Sequence, residues 1–197
     1  MTAKPISSFE LTSPAWLEPV LAAHAAPLAT LEDRMRLVIA CARQNFERDS
    51  GGPFAAAVFE RESGRLVSLG VNRVVPSQCS SAHAEVMALS LAQRSLGTFD
   101  LGATGLPAHQ LVVNWRPCAM CFGALPWSGV RSLVIAGSGV ELETLTGFDE
   151  GPIHPDWKGE LNRRGIEVLE NVLRAETWAM FEQFAASGRP VYNGRGG

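Results

Sequence analysis

The chain has 197 residues, 46% of them hydrophobic and 19% charged, the composition of one ordinary globular domain with a buried core. Seventeen Lys and Arg against twenty Asp and Glu leave a formal net charge of −3, so no overall positive field gathers polyanions and no nucleic acid is expected as a partner. No apolar run approaches the ~18 residues of a membrane span, and Met1–Glu10 carries one Lys and no long apolar stretch, unlike a secretory signal. Cys41, Cys79, Cys118 and Cys121 are too few for a disulfide scaffold, and the expected compartment is cytoplasmic.

Residues 1–30, rich in Ala and Pro, read as an extension packed on the core, with a short amphipathic helix around Trp16–Ala26. Met35, Val38, Ile39, Ala42 and Phe46 recur at helical spacing within Leu31–Asp49, and Ser50-Gly51-Gly52-Pro53 stops that helix. Strands are expected over Phe54–Glu60 and Leu66–Val75, joined antiparallel through a Ser63-Gly64 turn. Ser80 and Ser81 offer cap hydroxyls to a helix over Ala82–Leu96 that Gly97 ends. A strand over Gln110–Trp115 leads to a helix over Cys118–Leu125, broken at Pro126, and then to a compact apolar strand over Arg131–Ala136. A weak helix near Glu141–Leu145, a Gly/Pro-rich loop over Gly147–Gly159, a strand over Gly165–Leu169 and a helix over Asn171–Ser187 complete the core. This order predicts one domain, a three-layer α/β/α sandwich on a five-stranded, mostly parallel sheet with an antiparallel N-terminal hairpin. Residues 31–187 form its core and residues 188–197 its tail.

His83-Ala84-Glu85 opens one expected helix and Pro117-Cys118-Ala119-Met120-Cys121 opens the next, fitting H-x-E followed by P-C-x-x-C. Two cysteines three apart at a helix start put both sulfurs on one side of the first turn, where the helix dipole favours thiolates. His83 supplies a third ligand from the neighbouring helix. Three ligands leave a tetrahedral Zn2+ with one position open, the catalytic and not the structural arrangement. Glu85, two residues beyond His83, reaches a water there without occupying the metal, and suits the role of proton shuttle in hydrolytic deamination of an amidine-like ring carbon.

The plainer readings weigh less. A lone CxxC is as readily a redox pair, but not with His83 and Glu85 beside it. Cys79 is the one nearby residue that would close the metal site, and it precedes the cap serines, off the face that carries His83. Cys41 sits in an apolar helix as a core thiol, and His24, His109 and His154, in extension or loop sequence, receive no role.

Gly52-Pro53-Phe54-Ala55-Ala56, Asn72, His83-Ala84-Glu85 and Pro117-Cys118-x-x-Cys121 together resemble the zinc-dependent cytidine deaminase superfamily, in the branch with guanine and tRNA adenosine deaminases. The likeness runs over residues 31–195; Gly147-Phe148-Asp149-Glu150-Gly151-Pro152 and Tyr192-Asn193 look most like bacterial guanine deaminases that also accept the triazine ammeline. The resemblance implies zinc on His83, Cys118 and Cys121, with Glu85 as the shuttle. It also implies Asn72 bonded to the ring, Phe54 and Phe148 lining it, Glu150 on its N–H edge, Tyr192 closing the pocket, and a homodimer. A carboxylate suits guanine, which presents an N1–H and an exocyclic amine, although two acids in a Gly/Pro loop are by default a solvated pair. The expected substrate is thus a small nucleobase, guanine giving xanthine and ammonia; cytosine, a nucleoside or another aminated heterocycle is the alternative. The acidic balance argues against tRNA, and the intact Glu85 against a zinc-stabilised binding module. One departure stands out. Arg116 replaces the Glu that such enzymes commonly carry before Pro-Cys, a charge reversal beside a metal ligand.

Overall fold

A computed structural model describes residues 4–194, so the terminal Arg195-Gly196-Gly197 lies outside the described residues. The extension contributes α1 (Leu17–Ala23) and leads into α2 (Leu31–Glu47). Thr30 caps α2 by accepting the Asp33 N–H at 3.1 Å, and Glu32 and Asp33 place negative charge on its first turn. The hairpin β1 (Ala55–Glu60) and β2 (Leu66–Val71) follows. The second strand therefore ends four residues before the expected Val75. The β-branched run Val71-Asn72-Arg73-Val74-Val75 reads as strand, but the Asn72 side chain accepts the Val74 N–H at 3.2 Å and turns the chain into α3 (Val74–Ser77).

The remaining elements are α4 (Ala84–Leu96), β3 (His109–Val113), α5 (Ala119–Ser128), β4 (Ser132–Ile135), α6 (Glu141–Thr146), α7 (Trp157–Arg163), β5 (Glu167–Leu169) and α8 (Arg174–Ala186). Several departures from the sequence reading have physical causes. Ser80 and Ser81 do not cap α4: its N-cap is His83, and the Ser81 hydroxyl pairs with Cys79 Sγ at 3.2 Å. Pro126 does not break α5, which runs on to Ser128 and ends at Gly129 in the left-handed conformation. The loop expected up to Gly159 gives way to α7, nucleated where Asp156 accepts the Gly159 N–H at 3.2 Å. The last helix starts at Arg174, because Asn171 and Leu173 take left-handed backbone conformations that no helix continues. His109, read as a loop residue, opens β3 and is buried, with Nδ1 2.7 Å from the Leu101 carbonyl.

The sheet order is β2-β1-β3-β4-β5. Both pairings of β1 are antiparallel and the β3–β4 and β4–β5 pairings are parallel, so four strands run one way and β1 alone opposes them. Alternation along the strands divides the core. Ala57, Phe59, Val112 and Val134 face a layer with α2, α6 and α8, while Ala56, Val58, Leu111, Val113, Leu133 and Ile135 face a layer with α4, α5 and α7. This is the expected α/β/α sandwich. Gly70 of β2 lets α4 approach the sheet: a Cβ there would lie 2.4 Å from the Ala88 nitrogen and 2.5 Å from the Ala84 carbonyl oxygen. Among the described residues no helix is long and apolar enough to cross a membrane.

Candidate active site

The site lies where α4 and α5 begin, at the end of the sheet from which Asn72, Asn114 and Trp115 leave their strands. His83 and Cys118 are the N-caps of these two helices, both in extended backbone conformation, and neither side chain caps its own helix. Each is thereby free to point away from the helix. Cys118 Sγ lies 3.4 Å from His83 Nδ1, and with Cys121, in the first turn of α5, their ligand atoms fall within 4.8 Å of one another. Cys79 is not part of this cluster.

The charge balance fits a divalent cation. Cys118, Cys121, Glu85 and Glu150 crowd the site, with His83 and Arg116 as the nearby bases. The Cys118 thiol is lowered to about 4, first by hydrogen bonding with Cys121 and then by His83. Cys121 is pushed strongly upward, first by that same bond and then by burial and Glu85. Burial, followed by the Cys118 charge, raises Glu85 to about 7 and Glu150 to about 8. Three of the four acids resist ionisation, the signature of a cluster short of positive charge. One imidazole nitrogen and two sulfurs within tetrahedral reach are also the donor set that suits zinc.

Beside these ligands is a partly open pocket of about 140 Å³. An enclosed cavity of about 150 Å³ takes up benzene, so this volume is on the scale of a planar heterocycle. Phe54, Asn72, His83, Glu85, Cys118, Phe148, Glu150 and Tyr192 all line it, and Cys121 sits beneath as the remaining ligand. Every candidate residue of the sequence reading is thus brought to one place. Phe54 and Phe148 meet edge to face at 5.2 Å, and Phe148 meets Tyr192 at 5.3 Å, forming an aromatic wall.

The polar groups are held from behind. The Asn72 Oδ1 accepts the Val74 N–H at 3.2 Å and the Gly52 N–H at 3.5 Å, which leaves Nδ2 to face the pocket and donate to the Tyr192 hydroxyl. Glu150 is fixed through its main chain: its carbonyl accepts the Ala119 N–H at 2.9 Å, in the turn that carries both cysteines. Among the described residues no hydrogen-bond donor reaches the Glu150 carboxylate within 3.5 Å, although the residue is only 8% exposed. The tail is stitched to the same loop, Asn193 accepting the Asp149 N–H at 3.0 Å and donating to the Gly147 carbonyl at 2.9 Å.

Sequence reasoning missed several supports. Asn114, fully buried, accepts the Ala55 N–H at 3.0 Å and donates to the Pro53 carbonyl at 2.9 Å, fixing the approach to Phe54. An Asn inside an apolar strand run is the one signal that marked it. Trp115 and Arg116 also line the pocket. Arg116 turns its guanidinium to the Ser138 carbonyl at 3.2 Å and to Glu143 at 3.5 Å, bracing the segment that leads to Phe148 and Glu150.

The cytidine and deoxycytidylate deaminase zinc-binding region matches residues 28–137, and the chain belongs to this family. A guanine deaminase from Nitrosomonas europaea has a solved structure that is 47% identical, with a TM-score of 0.87 over 93% of this chain and all of that one. A second solved structure, 46% identical with a TM-score of 0.86 over 94% of this chain and all of its own, is in complex with 8-azaguanine. The guanine deaminase of Bacillus subtilis (strain 168) is 28% identical over 142 residues, 72% of this chain and 86% of that protein. The chain is a zinc-dependent hydrolytic deaminase.

Proposed function

We propose that the protein deaminates guanine to xanthine and ammonia, with His83, Cys118 and Cys121 holding zinc and Glu85 moving the proton. The observation that carries the substrate reading is the Glu150 carboxyl group, which faces a pocket of heterocycle size and meets no donor among the described residues. Burial without a donor pushes this carboxyl up to about 8, and a ring with two adjacent N–H donors favours its ionised, accepting form. Asn72 Nδ2 supplies a complementary donor, and Phe54 and Phe148 supply the apolar walls. The likeness to guanine deaminases over nearly the whole chain supports the same reading.

In the reaction a C–O bond forms from water at the ring carbon, the C–N bond breaks and ammonia leaves. The metal supplies Lewis acidity, which brings the pKa of water down to about 7. Glu85, buried two residues beyond His83, takes the proton from the attacking water at its carboxylate and returns it to the departing amine. Its raised pKa, near neutrality through burial and the Cys118 charge, suits a group that must both accept and donate. Glu150 accepts the ring N–H groups and turns the amine-bearing carbon toward Glu85. Phe148 and Tyr192 exclude bulk water from the ring.

Other aminated rings that present an N–H edge, ammeline among them, fall within the same scope. The acidic chain gives little support to a nucleic-acid substrate. Cys41 and Cys79, neither in a disulfide nor in the metal cluster, fit a reducing, cytoplasmic setting, and guanine as substrate implies a place in purine catabolism. The α5 surface, with no charged residue and with Met120 and Trp127 exposed, supports assembly as a homodimer. Ammonia release by zinc-loaded protein from guanine, guanosine, cytosine, cytidine, adenine and ammeline tests the assignment. Turnover of guanine is expected; turnover only of another ring would refute it.

A further inference from the structure

The N-terminal extension lies almost wholly outside the family match, which begins at residue 28, yet two of its atoms, one directly and one through Arg73, hold the turn at Ser50 that lies behind Asn72. The indole Nε1 of Trp16 donates to the Ser50 hydroxyl at 2.9 Å, and the carbonyl of Thr12 accepts from Arg73 Nε at 3.2 Å. Arg73, the neighbour of Asn72, donates through Nη1 to the Ser50 carbonyl. Trp16 also stacks beneath the Arg48 guanidinium at 5.8 Å, so residues 48–50 are held from the extension on two sides.

The turn is one that needs holding. Asp49 has φ 53°, a left-handed conformation that residues other than glycine keep only when their surroundings impose it. Gly51 is admissible only as glycine: its φ is 156°, and a Cβ there would lie 1.8 Å from the Asn72 carbonyl oxygen. From Ser50 the contacts run inward. The Ser50 hydroxyl donates to the Asn45 carbonyl at 3.1 Å, and Asn45 Nδ2 donates to both the Gly52 and the Asn72 carbonyls at 2.9 Å. The Gly52 N–H in turn is one of the two donors that decide which end of the Asn72 amide faces the pocket.

We propose that Trp16, through Ser50, is a positioning residue for the ring-binding Asn72, so that the extension tunes substrate affinity without touching substrate. The proposal rests on the guanine reading. A loosened turn lets the Gly52 N–H drift from the Asn72 amide. Ring binding weakens while Glu85 and the metal ligands, on the starts of α4 and α5, stay in place. The effect therefore falls on KM and spares kcat.

The test uses the full-length, zinc-loaded protein carrying Trp16→Phe, Ser50→Ala or both. Point changes are preferable to truncation, because Leu17 is buried in the core and its removal would unsettle α2. The expected result for Trp16→Phe is a KM for guanine about three- to tenfold higher with kcat within about twofold, as the loss of one hydrogen bond implies, and Ser50→Ala, which also gives up the Asn45 contact, should raise KM at least as much. The double variant should be no worse than Ser50→Ala alone, since that change already cuts the link to Trp16. Amide exchange should quicken about tenfold at Gly52 while staying unchanged in β3. Folded variants with wild-type KM and wild-type exchange at Gly52, even if they melt earlier, would overturn the proposal and leave the extension a purely structural support. If the wild-type enzyme fails to turn over guanine, the functional reading fails instead, and exchange at Gly52 still decides the brace.

Discussion

Replacing Glu150 with glutamine keeps the shape of the side chain and removes its charge. The carboxylate is buried and meets no donor from the described protein residues, so its partners in the complex are the N–H groups of the ring. Glutamine retains one acceptor and turns an amide N–H₂ toward a ring N–H. One charge-assisted hydrogen bond, worth about 1.5–3 kcal/mol, is lost, and a donor is left facing a donor at about 1–3 kcal/mol more. The loss in transition-state stabilisation is then about 2.5–6 kcal/mol, or ~10²- to 10⁴-fold in kcat/KM. Folding should not suffer, because a neutral amide is buried as readily as a carboxyl group that burial already pushes to about 8. Initial rates of ammonia release at guanine concentrations below KM, beside a thermal melt, give both quantities. A Glu150→Gln enzyme keeping more than about a third of the wild-type kcat/KM on guanine would refute the role of this carboxylate as ring acceptor.

Glu85→Gln should retain zinc at one equivalent by metal analysis and lose about 10²- to 10⁴-fold in kcat, the usual range for a general acid–base; undiminished turnover would remove Glu85 from the mechanism. Zinc uptake should release protons. Cys118 ionises near 4 and Cys121 is pushed strongly upward, so at pH 7 the metal-free protein carries one thiolate and one thiol, and binding must displace the second proton. At least about one proton per zinc is expected in weakly buffered solution, with affinity falling as pH drops; release of none would contradict the ligand set. Asn114→Ala removes two buried hydrogen bonds and orphans the Ala55 N–H and the Pro53 carbonyl, which should lower stability by about 2–4 kcal/mol in urea unfolding, and a change below about 1 kcal/mol would argue against its bracing role.

The metal ligands and the shuttle are legible in sequence because their geometry is local. His83 and Glu85 share one helix start and Cys118 and Cys121 another, and three-residue spacing at a helix start translates directly into a shared face. The three-layer architecture was likewise accessible, since strand and helix periods alternate plainly, whereas the strand order β2-β1-β3-β4-β5 came only with the structure. Asn114, Asn45, Ser50 and Trp16 were not, because each acts on a partner made near only by the fold: Trp16 and Ser50 are 34 positions apart, Asn114 and Ala55 59. The misplaced boundaries share another cause. At Val71–Val75 and at Asp156–Gly159 a single side-chain-to-backbone hydrogen bond overrides the propensity of the run around it.

Glu150 is anchored through its carbonyl to Ala119 and not through its side chain, which separates two kinds of change that natural variation can make here. A different side chain at 150 alters which ring edge is accepted while the loop stays in register. An insertion or deletion between Gly147 and Gly151 pulls on the turn that carries Cys118 and Cys121, so a change in loop length is also a change in metal affinity. Relatives that explore new substrates on this scaffold should therefore differ in the residue at this position far more freely than in the length of the segment that bears it.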